Sequence, residues 1–216
     1  MKITRITARG GGKNLHDLFV DGDLAACVSA ETLLRLGLRT GDALTPAVLR
    51  AMKEMEEARS ARNAALRHLA LRPRTEKELT DRLRTLEFPE DLARRTVAGL
   101  RDEGLVDDGA FARMFIRSQM KTRPSGGILL RRKMLLLGVP PAIAREALQE
   151  LLPPRSQEDA ALREARAYLR RRGKKKEEDA RRLNARLARH LASRGFTWDA
   201  IGPALRKAGD PGEEET

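Results

Sequence analysis

The chain has 216 residues, a net charge of +12 and only 3% aromatic residues, which argues against one thick globular core and for thin helical layers built on Leu, Ala, Ile and Val. A single cysteine, Cys27, excludes an internal disulfide, and no run of about 18 apolar residues exists to cross a membrane. With no apolar stretch after Met1 to read as a signal peptide, a soluble protein of the reducing cytoplasm is expected.

Residues 1–57 hold the strand material. Ile3 and Ile6, then Leu18-Phe19-Val20, the turn formers Asp21-Gly22-Asp23 and Ala26-Cys27-Val28 predict a small β-hairpin. Gly10-Gly11-Gly12 lacks the following GK[ST] of a phosphate loop and is read as a flexible connection. Ser29 is placed to N-cap a short helix through Leu36, ended by Gly37, and Thr45-Pro46 starts a second helix that continues toward Arg59.

From residue 58 an internal repeat emerges. Leu79, Leu83, Leu86, Phe88, Leu92 and Val97 map at a shift of 51 residues onto Leu130, Met134, Leu137, Val139, Ile143 and Leu148. A further shift of 57 brings Leu187, Leu191, Phe196, Ala200 and Leu205 onto most of the same positions. Each copy reads helix, tight turn, helix. Gly138 and Gly195 mark two of the turns, where glycine takes the left-handed cap conformation, while the first copy has Glu87-Phe88-Pro89 and must cap without glycine. An amphipathic segment precedes each pair: Ala61, Ala65 and Leu69; Phe111, Met114 and Phe115; Ala161, Ala165, Tyr168 and Leu169. Thr75-Glu76-Lys77-Glu78 is a capping box, and Ser156-Gln157-Glu158-Asp159 resembles one.

The expected fold is mainly α: three tandem three-helix repeats in an elongated array, with a small N-terminal β-hairpin plus helix extension. The boundaries are 1–57 for the extension, 58–107, 108–155 and 156–208 for the repeats, and 209–216 for an acidic disordered tail. Charge is graded along this order. Residues 1–57 are neutral, 58–107 carry +2, 108–154 carry +5, 155–209 carry +9 and 210–216 carry −4. A field of that sign in the C-terminal half attracts polyanions or an acidic protein surface.

The chain resembles the RecX family over nearly its whole length. In the first repeat the likeness rests on Ala64-Ala65-Leu66, Leu69, Arg72, Arg74-Thr75-Glu76-Lys77-Glu78-Leu79 and Leu83. It continues through Gly104-Leu105-Val106-Asp107-Asp108, Phe111-Ala112, Ile116-Arg117-Ser118 and Gly126 or Gly127, and closes on Arg194-Gly195-Phe196 with Ile201 and Leu205. Leu18-Phe19-Val20-Asp21-Gly22, Val28-Ser29 and Leu36-Gly37-Leu38 look like the hairpin-bearing extension of some members. Two departures stand out: Glu87 replaces a common small turn residue, and Pro124-Ser125 interrupts a usual basic-Gly-Pro loop. The resemblance implies a monomeric, non-enzymatic regulator of the RecA recombinase. Such a regulator binds the groove of the RecA filament on single-stranded DNA, inhibits ATPase and strand exchange and promotes disassembly, in recombination, DNA repair and SOS control. Duplex DNA stays open as a further partner, and neither a membrane nor a cofactor is implied.

Candidate RecA or DNA contacts follow from cation density. Arg170, Arg171, Arg172, Lys174, Lys175 and Lys176 put six cations in seven residues, against the plainer reading of a solvated helix end whose dipole favours cations. Arg182, Arg186 and Arg189 share a helix face beyond them, with Arg181 beside it. Arg131, Arg132 and Lys133 open a helix, where cations oppose the dipole, and Arg117, Lys121 and Arg123 precede them. Arg72 and Arg74 flank Pro73, where local bonding to helix carbonyls competes with a contact role. Phe196, Trp198 and Tyr168 could stack bases, but the first two fall at a helix corner and are expected in the core. Asp107-Asp108 reads as a helix cap rather than a metal site. His16, His68 and His190 lack ligand spacing, and no nucleophile has a catalytic setting. The rival readings are a helix-turn-helix DNA-binding transcription regulator, disfavoured because third helices such as Ala142 to Leu151 are poor in Arg, Asn and Gln, and a protein scaffold with no nucleic-acid role.

Overall fold

The computed structural model describes residues 1–10, 14–172 and 180–208, and these hold three strands and ten helices. Gly11 and Gly12 of the glycine run, Lys174, Lys175 and Lys176, and the acidic tail from residue 209 lie outside the described residues. The chain divides into two units, Met1–Leu71 with Arg82–Gly99, and Arg72–Asp81 with Leu100–Thr216.

In the N-terminal unit, β1 (Ile3–Ala8), β2 (Leu15–Val20) and β3 (Asp23–Ser29) form an antiparallel sheet in the order β1-β2-β3. The expected hairpin is its β2–β3 half. Val20 pairs with Asp23, leaving Asp21 and Gly22 as a two-residue turn with φ of 50° and 99°, both positive as the twist of a tight hairpin demands. β1 adds a third strand because Ile3 opposite Val20 and Ile6 opposite Leu18 extend the apolar face. Ile3, Leu18, Val20 and Val28 bury that face with Leu44 and Met52. Ser29 ends β3 and caps α1 (Ala30–Arg35), its hydroxyl accepting from the Thr32 N–H at 3.1 Å.

α2 (Pro46–Leu71) runs unbroken through residue 58, since no glycine or proline interrupts it after its first residue. It supplies Glu56, whose carboxylate accepts from the Ser29 N–H and hydroxyl, each at 2.7 Å, and from the Thr32 hydroxyl at 2.6 Å, and pairs with Arg59 at 2.7 Å. Burial alone would raise the pKa of this acid. The hydrogen bonds from Thr32 and Ser29 and the Arg59 guanidinium outweigh it, pulling the value down from 4.5 to about 2.

α3 (Glu76–Thr85) carries residues of both units. α4 (Glu90–Asp102) lies mostly in the N-terminal unit, and the remaining helices belong to the C-terminal unit. α5 (Asp108–Thr122), α6 (Gly127–Leu136) and α7 (Pro141–Leu151) enclose one core, including Phe111, Ile116, Leu130, Met134 and Val139. α8 (Pro154–Arg172), α9 (Ala180–Ser193) and α10 (Trp198–Ala208) enclose another, including Ala161, Leu187, Leu191, Phe196 and Ile201. Both are built mainly on small and aliphatic side chains, with Phe111 and Phe115 the rings of the first and Phe196 and Tyr168 those of the second. The three helix pairs end their first helix with the same cap. Glu87, Gly138 and Gly195 take φ of 66°, 89° and 80°. The next residue's N–H, from Phe88, Val139 and Phe196, returns to the carbonyl of Leu83, Met134 and Leu191 at 3.2, 3.0 and 3.2 Å.

The joints between repeats inside the C-terminal unit also recur. At the first, the Thr75 hydroxyl donates to the Leu137 carbonyl at 2.6 Å while accepting from the Glu78 N–H at 3.0 Å. The Glu76 N–H meets Asp108 at 2.9 Å. At the second, the Gly126 N–H donates to the Arg194 carbonyl at 2.9 Å and the Gly127 N–H meets the Gln157 side chain at 3.5 Å. Each joint seats the start of one helix on the cap turn of the following repeat. Three expectations need correction. Arg131 and Arg132 lie mid-helix and Lys133 in the last turn of α6 (Gly127–Leu136), so none of them opens that helix and the expected opposition to its dipole falls away. α8 begins at Pro154, so Ser156 lies within its first turn rather than capping it. Trp198 is 70% exposed while Phe196 is buried: α10 starts at Trp198 and buries Ala200, Ile201 and Ala204, leaving position 198 off that stripe.

Candidate polyanion-binding surface

The proposed contact residues fall into held and bare groups. Arg123 ends α5 and Arg171 lies in the last turn of α8, yet both reach Glu164, at 3.5 and 3.1 Å. His190 on α9 bonds the same carboxylate oxygen at 2.9 Å, and the Arg194 Nε lies 3.9 Å from it. Arg194 also donates to the Arg123 and Pro124 carbonyls and, at 2.6 Å, to the Ser125 hydroxyl. Glu164 is almost fully buried at 1% exposure, whereas Arg123 and Arg171 are about half exposed. Tyr168 stacks on His190 with ring centroids 4.4 Å apart, which fixes the imidazole against the acid.

One carboxylate thus gathers three guanidiniums and an imidazole. Burial would raise its pKa, but the bonds from His190 and Arg171 and the charges of Arg123 and Arg171 hold it below the usual carboxylate range. The converse shows at Arg194, which burial and the repulsion of Arg123 and Arg171 push down against the attraction of Glu164. The cluster therefore carries surplus positive charge, with Arg123 and Arg171 at its solvent edge.

Other candidates are also engaged. Lys133 donates to the Gln119 side chain at 2.8 Å. Arg189 reaches the Ala185 carbonyl of its own helix at 3.4 Å. Arg72 forks onto Glu78 at 3.0 and 2.8 Å and also meets the Pro73 carbonyl; that pair lowers the Glu78 pKa, with the Thr75 N–H assisting. Arg74, Arg172 and Arg186 each have a partner. By contrast Arg117, Lys121, Arg131, Arg132, Arg170 and Arg182 are exposed and, among the described residues, form no ion pair. Asp107 caps α5 through the Gly109 and Ala110 N–H groups at 2.7 and 2.9 Å, and Asp108, buried, caps α3. No group of three or more potential metal ligands occurs among the described residues, and none of their helices is long and apolar enough to cross a membrane.

Family models of RecX match all three repeats: the first three-helix domain over residues 61–100, the second over 107–148 and the third over 157–205. A regulatory protein RecX of Geobacillus kaustophilus (strain HTA426) is 30% identical over 193 residues, covering 89% of this chain and 70% of the relative. The chain belongs to the RecX family. A RecX relative from Clostridium beijerinckii is 27% identical over 95% of both chains. A crystal structure described as regulatory protein RecX superposes with a TM-score of 0.81 at 24% identity, covering 95% of this chain and 98% of that one. RecX from Lactobacillus salivarius gives 0.66 at 25% identity, covering 72% of this chain.

Within this RecX-family chain, Glu164, His190 and Arg194 are the site residues that reading the sequence passed over. The available signal was an acid inside an otherwise buried stripe, Ala160, Ala161, Glu164 and Ala165. A carboxylate at a core phase needs partners, and cations from elsewhere must supply them.

Proposed function

We propose that the chain is a non-enzymatic, monomeric cytoplasmic regulator of RecA. It lies in the groove of the RecA filament on single-stranded DNA, inhibits ATP hydrolysis and strand exchange and promotes disassembly, and so tunes homologous recombination, DNA repair and the SOS response. The division into an extension (1–57), three repeats (58–107, 108–155, 156–208) and an acidic tail is part of this reading, as is a contact role for the basic residues named above. RecX family membership supports the recombinase as partner. The observation that carries the nucleic-acid half is the charge gradient: residues 1–57 are neutral, whereas 108–154 and 155–209 carry +5 and +9. Within these segments Arg117, Lys121, Arg170 and Arg182 are exposed and, among the described residues, form no ion pair, and phosphate contacts at such cations release counterions.

The test is ATP hydrolysis by RecA on single-stranded DNA with the full chain titrated in. Inhibition at substoichiometric ratios is expected, and equal hydrolysis with and without the chain rejects the reading. Direct binding to a labelled single-stranded oligonucleotide supplies the second arm. Replacing Arg170 and Arg182 by alanine should weaken it while lowering the salt slope by about one for each lost phosphate contact.

A further inference from the structure

α6 is apolar on two sides. Leu130 and Met134 face inward and are fully buried. Ile128 and Leu136 stand 60% and 73% exposed, and with Arg131, Arg132 and Leu135 they follow the spacing of a single helical stripe on the opposite flank. A helix at the surface ordinarily turns polar residues that way; aliphatic residues on that flank mark a surface that is covered in use. On one side of the stripe Ile128 and Arg131 border a groove of about 440 Å³ whose floor includes Leu148, Leu152 and Pro153, with Arg145 at its rim. On the other, the same two residues border a second groove of about 400 Å³ against Leu135 and Leu136. The two share a ridge and form one tract. Arg131, Arg132 and Arg145 are exposed and, among the described residues, form no ion pair.

We infer that this tract docks a protein segment that presents aliphatic side chains flanked by carboxylates. Resting on the function proposed above, that segment belongs to the RecA subunits of the filament. The floor selects the partner class. Nucleic acid offers phosphates and flat base faces; the phosphates would satisfy the arginines but leave Ile128 and Leu136 in water, and bases stack on rings that this floor lacks. A second copy of the chain would bring the same arginine stripe against itself. An acidic, aliphatic segment covers the floor and neutralises the rim together. The cations thereby divide by partner: Arg131, Arg132 and Arg145 read protein, while Arg170 and Arg182 read DNA.

The experiment compares the full chain with the double variant Ile128→Ser/Leu136→Ser, which alters two exposed positions without changing charge. Binding to a labelled single-stranded oligonucleotide in the absence of RecA should stay within about two-fold, because no phosphate contact is touched. The concentration needed for half-inhibition of RecA ATP hydrolysis should rise by about ten-fold or more, as expected when central apolar anchors are lost. Arg145→Ala, on a different helix, should shift inhibition in the same direction by a few-fold, and circular dichroism checks that helicity is retained. Unchanged inhibition by both variants overturns the inference. A parallel fall in oligonucleotide affinity overturns it in favour of nucleic acid, and a parent dimer dissolved by the double variant overturns it in favour of a second copy. A parent chain that does not inhibit RecA at all brings down the functional reading itself.

Discussion

The two joints of the C-terminal unit solve one geometric problem with different materials. At the first, side chains make the seat: the Thr75 hydroxyl reaches the Leu137 carbonyl, the Lys77 stem lies where a Cβ on Gly138 would stand, and Asp108 takes the Glu76 N–H. At the second, the equivalent positions are glycines and the seat is backbone on backbone. Gly126 donates to the Arg194 carbonyl, and a Cβ on Gly126 would fall on the Gly195 carbonyl, far inside van der Waals contact. The second joint also carries Glu164 and its arginines. A seat of side chains can re-form around a change of residue, whereas a backbone seat has nothing to move aside.

That contrast is broken most directly at Gly126. Gly126→Ala should cost about 3 kcal/mol, because the added methyl forces the two chain segments apart. Thr75→Ala at the equivalent position of the first joint removes a hydroxyl and its cap, and should cost only about 1 kcal/mol. Urea unfolding followed by circular dichroism measures both. Equal losses would show that the two seats are mechanically alike and that the glycine contact is slack.

The carboxylate of the second joint sharpens the comparison. Glu164→Gln keeps the shape but strips the one negative charge from beneath Arg123, Arg171 and Arg194; a loss of about 2 kcal/mol is expected, below the range for fully buried pairs because Arg123 and Arg171 are half exposed. The pH dependence has a definite sign. The folded pKa of Glu164 lies below its ordinary 4.5, so its contribution is complete above that value and fades as pH falls through the lowered one. Parent and variant should therefore diverge in stability above pH 4.5 and converge in acid. A constant gap across an acid titration would mean that packing, not charge, holds the joint.

Much of this architecture is written locally and was readable in order. The cap of α1 by Ser29, the box at Thr75, the Asp107 cap and the recurrence of Glu87, Gly138 and Gly195 all depend on residues a few positions apart, so spacing suffices to find them. The Glu164 cluster was not readable because its members come from two helices, α8 (Glu164, Arg171) and α9 (His190), and from the residues that follow α5 (Arg123) and α9 (Arg194), and only the folded chain decides which of many arginines arrive. Cation spacing shows how many positive charges a face carries, but not that Arg72 is spent on Glu78 or Lys133 on Gln119 while Arg131 and Arg170 form no ion pair among the described residues. Trp198 was misplaced for a related reason: its burial depends on the helical phase of α10, which its being aromatic does not set.

The smallest expected effect is a gain, and it explains why one cap lacks glycine. Glu87 holds φ at 66°, a conformation that costs a residue with a Cβ about 1 kcal/mol or more, partly offset in glycine by its greater unfolded-state entropy. Glu87→Gly should therefore stabilise the protein by about 0.5 kcal/mol, visible as a small rise in thermal midpoint. Glycine is needed twice over at 138 and 195, for the positive φ and because the preceding repeat docks on the turn: an added Cβ there would strike the Lys77 side chain or the Leu129 backbone. Glu87 is exposed, and as the turn of the first repeat it has no earlier repeat to receive. Only the conformational demand remains at that position, and a glutamate can meet it. A loss of stability in Glu87→Gly would show that its side chain has a partner and that the turn is not free.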